Sequence, residues 1–517
     1  MSLSACLSAI ILAFCCVVSA HGADRPALER GTAIIDPLAL RELDHGPLGL
    51  TQIMQPVKSA DTPLTNAQLF ALPSMAPVKK ALDDDFERYV AKHKAEMPNE
   101  SIGVGNEYAF QLFDRAQLTS PDTRFVLSGI VNRMDRGYVP GLDCGEIRLI
   151  YRLTPTNVSA PIGEASVSPR LPMTLNVVLK AKGEGVTVSC ADIAKRWLAA
   201  GSSTATGAEL AEKLTAPGEP LDLIAPENID RIETNLQIAH APKSPTRDFR
   251  TDYLMKVFDY DARSRAFVES ALEDQVDRDR LLTDASLARD LKAWLLDPVH
   301  LAELDRGTVL IPDRFLLKAA IAPTPTGFSP SELQPAFGLV EGEDGTHKPI
   351  FAKSDVVLAL AKAAALDVKL QNIRSVGGFE RRLNDVSCSG CHQTRGIGGF
   401  HFPGVDWMAA KPSNSTVVPA SPHFFGDQVR RRDIVTAFAE GKQPDFSRAF
   451  ASRPQLRGSP ELAGTEYEDG WGAHCYAQHT NARDNDQSFV SWTCAEGLTC
   501  QTAGDTARMG MCFVKTR

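Results

Sequence analysis

The chain has 517 residues, of which 43% are apolar, enough to bury several hydrophobic cores and to divide into roughly two to four domains. A formal charge of −9 without any long basic run argues against nucleic-acid binding, and the densest basic patch, Arg430-Arg431-Arg432, reads as a solvated helix start. Beyond the first twenty residues no apolar stretch reaches membrane-spanning length.

Residues 1–20 carry no charge, have an apolar core over 10–18, and end in the small residues Val18-Ser19-Ala20. This pattern predicts a cleaved signal peptide and a bacterial periplasmic or secreted protein, although the basic residues that usually precede such a core are missing. Cys15 and Cys16 raise the question of a lipid-modified terminus, against which the bulky Phe14 argues; an uncleaved anchor is the alternative. Residues 21–100 mix prolines with short amphipathic runs and read as an exposed lead-in ending in a helix near 81–96.

Over 101–262 the pattern is that of strands: RFVLSGIVNRMD from Arg124, EIRLIYRL from Glu146, MTLNVVLKA from Met173, VTVSC from Val186, and further runs at 231–240 and 249–259. A helix is predicted at 191–200. Residues 263–350 form a helical region and linker, with Leu281, Leu282, Leu287, Leu291 and Leu295 at helical spacing and a Pro, Gly and Thr-rich passage at 322–335. Residues 351–464 open on a helix over 354–370 with Ser354 as its cap, followed by the FERRLNDVS segment and a C-x-x-C-H motif. Residues 465–517 hold Trp471, Trp492 and four cysteines, the composition of a small module that needs cross-links. The expected fold is therefore α+β and multidomain, with a β-rich N-terminal unit under covering helices, a mainly helical or irregular C-x-x-C-H region, and a disulfide-stapled C-terminal module.

Removing the signal segment leaves eight of eleven cysteines. In an oxidising compartment Cys144 and Cys190 read as one disulfide, and Cys475, Cys494, Cys500 and Cys512 as two more, with three connectivities open. Cys388 and Cys391 belong to Cys388-Ser-Gly-Cys391-His392, the pentapeptide by which a chain takes up covalent c-type haem: each thiol adds to a vinyl group, and the imidazole binds the iron. A Cys388–Cys391 disulfide, a redox dithiol, and a zinc site completed by His401 and another His are the alternatives.

The pentapeptide resembles that of the c-type cytochromes. The resemblance implies one covalent haem c, Cys388 and Cys391 as thioether anchors, His392 as axial iron ligand, and electron transfer to an unidentified redox partner protein. The chain as a whole, through VNRMD, DCGEIR, SCSGCHQTRGIGGFHFPG and GWGAHC, is similar to large exported bacterial proteins carrying one such motif, which implies no defined activity. Candidates for the sixth iron position are His401, His423 and Met408, and a vacant position would permit haem-dependent peroxide chemistry. Arg395 with Gly396, Gly398 and Gly399 offers a propionate partner and close backbone approach to a macrocycle. Asp135, Asp143 and Glu146, near Cys144, form a possible carboxylate cluster, but acids beside a strand are expected to be solvated or capping. No H-E-x-x-H, G-x-S-x-G, phosphate-binding loop or EF-hand loop is present. The competing function is a non-haem periplasmic or surface binding protein whose C-x-x-C is a disulfide.

Overall fold

A computed structural model describes residues 30–55, 63–156, 171–241, 251–323, 348–394, 405, 407–408, 427–448, 474–502 and 508–514. The signal segment, Arg395 and its neighbouring glycines, His401, His423 and Trp471 lie outside the described residues. The fold is α+β and multidomain, with 39% helix and 23% strand.

Ten strands among the described residues form one sheet: β1 (Ala33–Ile34), β2 (Ile102–Gly103), β3 (Phe110–Leu112), β4 (Thr123–Arg133), β5 (Glu146–Pro155), β6 (Met173–Lys180), β7 (Ile229–His240), β8 (Thr251–Asp261), β9 (Ala266–Ser270) and β10 (Ala319–Pro323). Their order is β1-β4-β5-β6-β7-β3-β2, with β8 also on β7, and β9 and β10 both on β8. All pairs are antiparallel except β2 with β3. The sheet thus runs past residue 262 into the stretch that reads from sequence as helices and linker.

Strand alternation gives this sheet two different faces. Ile147, Leu149 and Tyr151 of β5 lie opposite Leu179, Val177 and Leu175 of β6, and all six enter the main core. That face is covered by α1 (Pro37–His45), α2 (Leu50–Met54), α3 (Asn66–Leu69), α4 (Ala76–Glu96), α5 (Cys190–Gly201) and α6 (Gly207–Thr215). Residues 30–55 and 63–96 are therefore no exposed lead-in: Leu40, Leu43, Val78, Leu82 and Phe86 are buried against the sheet, because an apolar sheet face must be covered. The alternate residues of β5 are Glu146, Arg148, Ile150 and Arg152, also buried. They face the other side.

The VTVSC run is no strand. Ser189 caps α5, its Oγ accepting from Asp192 N at 3.1 Å, so Cys190 opens a helix, and its disulfide to Cys144 ties that helix to the turn before β5. A second core gathers α7 (Arg278–Thr283), α8 (Ala285–Leu295), α9 (Pro298–Arg306), α10 (Lys353–Ala365) and α11 (Val376–Val386) around Leu291, Leu295, Leu304, Phe315, Phe351 and Phe379. Helix α10 begins at Lys353 rather than after Ser354, because the Asp355 carboxylate reaches back to the Ala352 N–H at 3.1 Å. Further helices among the described residues are α12 (Cys388–Thr394) and α13 (Gln428–Ala439).

The C-terminal unit is a three-stranded sheet of β11 (His474–Tyr476), β13 (Met509–Val514) and β12 (Leu498–Thr502), in that order, stapled by Cys475–Cys500 and Cys494–Cys512. It docks on α11: Arg381 lies over the Trp492 ring at 5.0 Å, and Ser375 Oγ donates to Asp486 at 2.8 Å. Trp492 is 2% exposed, so this aromatic is structural. A Cβ on Gly378 would meet Ser488 Oγ at 2.1 Å, which is why the helix carries glycine at this docking point.

Candidate functional site

The Cys388-Ser-Gly-Cys391-His392 pentapeptide forms most of α12, directly after α11. Ser387 joins the two helices: its Oγ donates to Asn384 O at 2.8 Å and accepts from Gly390 N at 3.1 Å, and its carbonyl accepts from Cys391 N at 2.9 Å. Buried Gln275 receives both the N–H and the hydroxyl of Ser389, each at 2.9 Å. A Cβ on Gly390 would stand 2.0 Å from the Asn384 carbonyl oxygen, so only glycine lets α12 pack this closely on the end of α11. Both intervening residues of the motif are therefore fixed by packing.

Cys388 and Cys391 are buried and lie outside the three disulfides that take up the other six described cysteines. Cys388 packs with Met255, Leu272, Ala320 and Ala322, its Sγ 3.8 Å from the Glu273 carbonyl oxygen. Burial pushes the Cys388 thiol well above its ordinary range, and the carboxylates of Glu273 and Glu233 push it further. A thiol held protonated is a poor nucleophile, which argues against a redox dithiol.

Cys388 forms part of the wall of a pocket of about 400 Å³, within the roughly 300–1,000 Å³ typical of cofactor and ligand sites. The pocket lies against the second face of the sheet. Arg148 and Lys180 reach it from β5 and β6, Arg231 and Glu233 from β7, Val257 and Asp259 from β8, while Arg136 ends the 3-10 turn Met134–Arg136 after β4 and Glu273 lies on the loop after β9. Glu146, Arg148, Glu233 and Arg231 make a closed ring of charge: Arg148 Nη2 to Glu146 at 2.6 Å, Arg148 Nη1 to Glu233 at 2.9 Å, and Arg231 Nη2 to both carboxylates at 2.9 Å. Burial alone would raise Glu146, but Arg148 and Arg231 outweigh it and hold the carboxyl far below its ordinary value. Arg136 binds Glu273 with Nη1 at 2.7 Å; burial raises Glu273, yet that guanidinium brings it down to about 2. Neighbouring Asp274 goes the other way: burial, then the Glu273 charge, raise it well above a normal carboxyl, and its φ of 56° places a non-glycine residue in the left-handed region. Asp259 is also raised by burial, and Ser270 Oγ donates to it at 2.6 Å.

A second charge chain flanks the first. Asp135 bridges Arg133 Nε and Arg430 Nη2, each at 2.8 Å, and Asp427 bridges Arg430 Nε at 2.6 Å and Arg431 Nε at 2.8 Å. Arg430 and Arg431 are therefore no solvated helix start; Arg431 is 1% exposed, and burial together with repulsion from Arg133 lowers it to about 10. Asp135 and Glu146 likewise are not solvated loop acids, whereas Asp143 is exposed. The physical reason is shared: on a sheet covered on both faces, a charge can be buried only opposite its counter-charge.

Among the sequence candidates for the sixth ligand, Met408 sits in the main core beside Trp407, its sulfur 3.9 Å from Thr154 Oγ1. Trp407 Nε1 donates to the Leu127 carbonyl at 2.9 Å. Met408 thus packs against the sheet, while Cys388 belongs to a separate small cluster. His401 and His423 lie outside the described residues, and so does any test of the zinc set through His401. The sulfurs of Cys475, Cys494 and Cys512 lie within 4.8 Å of one another but are committed to disulfides, which leaves no thiolate for a metal.

No family model, characterised protein or solved structure matches the chain. Function rests on the site itself. Two thiols three residues apart on one short helix, followed in sequence by a histidine, are the donor types that a covalently attached porphyrin takes, and of these Cys388 is in the pocket wall among the described residues. Sequence inspection missed the charge ring, although EIRLIYRL and RIETN place Glu146, Arg148, Arg152, Arg231 and Glu233 at period two. Charge on alternate residues of otherwise apolar strands was the available signal. Among the described residues no helix is long and apolar enough to cross a membrane.

Proposed function

We propose that this is an exported monohaem c-type protein, working in electron transfer or haem redox chemistry. Haem would be held by thioether bonds from Cys388 and Cys391, with His392 as axial ligand to the iron. The observation that carries the proposal is selective pairing: six described cysteines are joined in three disulfides, while the two of C-x-x-C-H, on one turn of helix, stay apart from them. The same disulfides support export, since such bonds persist in oxidising compartments.

Bound there, the group would supply one-electron chemistry at its iron. The chain's own residues supply the rest. Gln275, Ser387 and Gly390 fix the attachment helix; Lys180, for which no carboxylate partner is present among the described residues, offers positive charge to carboxylates of a ligand. Val386, Leu316, Ile311 and Val257 provide apolar wall.

The test is to express the full chain in a bacterial host with the cytochrome c maturation genes and record oxidised and dithionite-reduced visible spectra with a pyridine haemochrome. A c-type haemochrome that disappears in Cys388→Ala/Cys391→Ala is the expected result. A colourless exported protein in that host would sink the proposal and leave a binding protein, with no haem chemistry.

A further inference from the structure

Next to the Cys388 pocket, and sharing Pro140 and Leu310 with it as wall, lies a second, open pocket of about 500 Å³ with a different lining. Two aromatic surfaces bound it. One is a flat stack of Trp294 on His300, ring centroids 3.8 Å apart and 21° from parallel; the other is Tyr138 with Phe446, 5.8 Å apart. The rest of the lining includes Glu303, whose carboxylate meets His300 Nδ1 at 2.9 Å, together with Asp445, Arg306, Thr308 and Ser447.

Tyr138 carries an unspent donor. Its Oη accepts from Arg136 Nη1 at 3.0 Å and from Arg448 Nη2 at 3.1 Å. With both lone pairs engaged, the phenol hydrogen is left to donate, and no acceptor for it is present among the described residues. A ligand oxygen in the pocket would satisfy it.

Charge narrows the ligand class. The two carboxylates would attract a cation held over the aromatic rings, but Arg306 in the pocket and Arg448 behind Tyr138 offset them. The same carboxylates disfavour an anion. What remains is a neutral molecule with an apolar face for the rings and oxygens around its edge, hydrogen-bonded by planar Glu, Asp and Arg side chains. We propose that this pocket binds a neutral saccharide, one pyranose ring lying against the aromatic surfaces and its hydroxyls meeting Tyr138, Glu303 and Arg306. The site stands on its own lining and does not depend on haem at Cys388.

The experiment titrates the full exported protein with glucose, galactose, N-acetylglucosamine and the α-1,4- and β-1,4-linked oligomers of glucose and N-acetylglucosamine, read by calorimetry and tryptophan fluorescence. Saturable binding of at least one is expected, weakened at least about tenfold in Trp294→Ala. Tyr138→Phe, which keeps the ring, should weaken it several-fold, about the worth of one hydrogen bond. Asp445→Asn, at an exposed position, is a second probe in a variant that keeps the fold, and circular dichroism checks all three. Binding must persist in Cys388→Ala/Cys391→Ala, which separates failure of this site from failure of the haem proposal. Absence of saturable binding to the whole panel, binding of choline in its place, or saccharide binding unchanged in both Tyr138→Phe and Asp445→Asn would overturn the assignment.

Discussion

The two faces of the central sheet are built from alternate residues of the same strands, yet they do opposite things. One carries Ile147, Leu149, Tyr151, Leu175 and Val177 into a continuous apolar core. The other carries Glu146, Arg148, Arg231 and Glu233 as a neutral ring of ion pairs under the Cys388 pocket. Apolar burial stabilises at about 25 cal/mol per Å² and tolerates repacking, whereas a buried ion pair roughly breaks even but fails badly when one partner is lost. The apolar face therefore accounts for stability, and the charged face for a polar, shaped environment beside the pentapeptide.

The contrast can be broken most severely from the charged side. Glu146→Ala takes from buried Arg148 and Arg231 the carboxylate that they share on one side, leaving Glu233 on both and Asp230 on Arg231, and should cost about 3–5 kcal/mol in denaturant unfolding. Replacing all four ring members with apolar residues should cost far less than that single change. On the other face, Leu175→Ala should cost about 3 kcal/mol, within the range of cavity-forming substitutions, and should leave any spectrum of the pentapeptide site unchanged. Gly390→Ala puts a methyl group against the Asn384 carbonyl; about 1–3 kcal/mol should be lost, together with displacement of α12 visible as increased alkylation of Cys388.

Acid titration sharpens the same contrast. Glu273 falls from an ordinary 4.5 to about 2, and Asp427 from 3.8 to about 2, so each stabilises the folded protein above its unfolded value. That contribution is lost as the pH drops from 4.5 toward 2. Chemical unfolding midpoints should fall through this window, and less steeply in Asp427→Asn. The smallest effect concerns Cys388: with its thiol held protonated, alkylation of apoprotein at pH 8 should be slow in native conditions and fast in denaturant, with no change in stability.

Much of the architecture was legible in the sequence. Alternating Val, Ile and Leu marked β4 to β8, leucine spacing marked α8, and the cysteines divided into the groups that the structure joins. The C-terminal connectivity was not readable, because it depends on which strands pair: β12 and β13 set Cys500 opposite Cys512, yet each bonds to a cysteine elsewhere. The burial of residues 30–55 and 63–96 was hidden because the first three helices are short, prolines punctuate the segment, and only the sheet they cover gives their apolar faces a purpose. Arg430 and Arg431 misled for a similar reason. A basic run looks solvated until Asp135 and Asp427, 295 and 3 residues from Arg430, are brought to it. At the site, the pentapeptide was visible locally, whereas its pocket draws Arg136, Arg148, Arg231 and Glu273 from distant segments.

The central claim is that Cys388 and Cys391 carry haem, and the most direct measurement is the mass of the proteolytic peptide containing both, taken from protein exported in a host with cytochrome c maturation. One haem added to that peptide, with neither cysteine open to alkylation after denaturation, is the predicted result. A peptide two hydrogens light, or one that takes two alkyl groups without reduction, would contradict it.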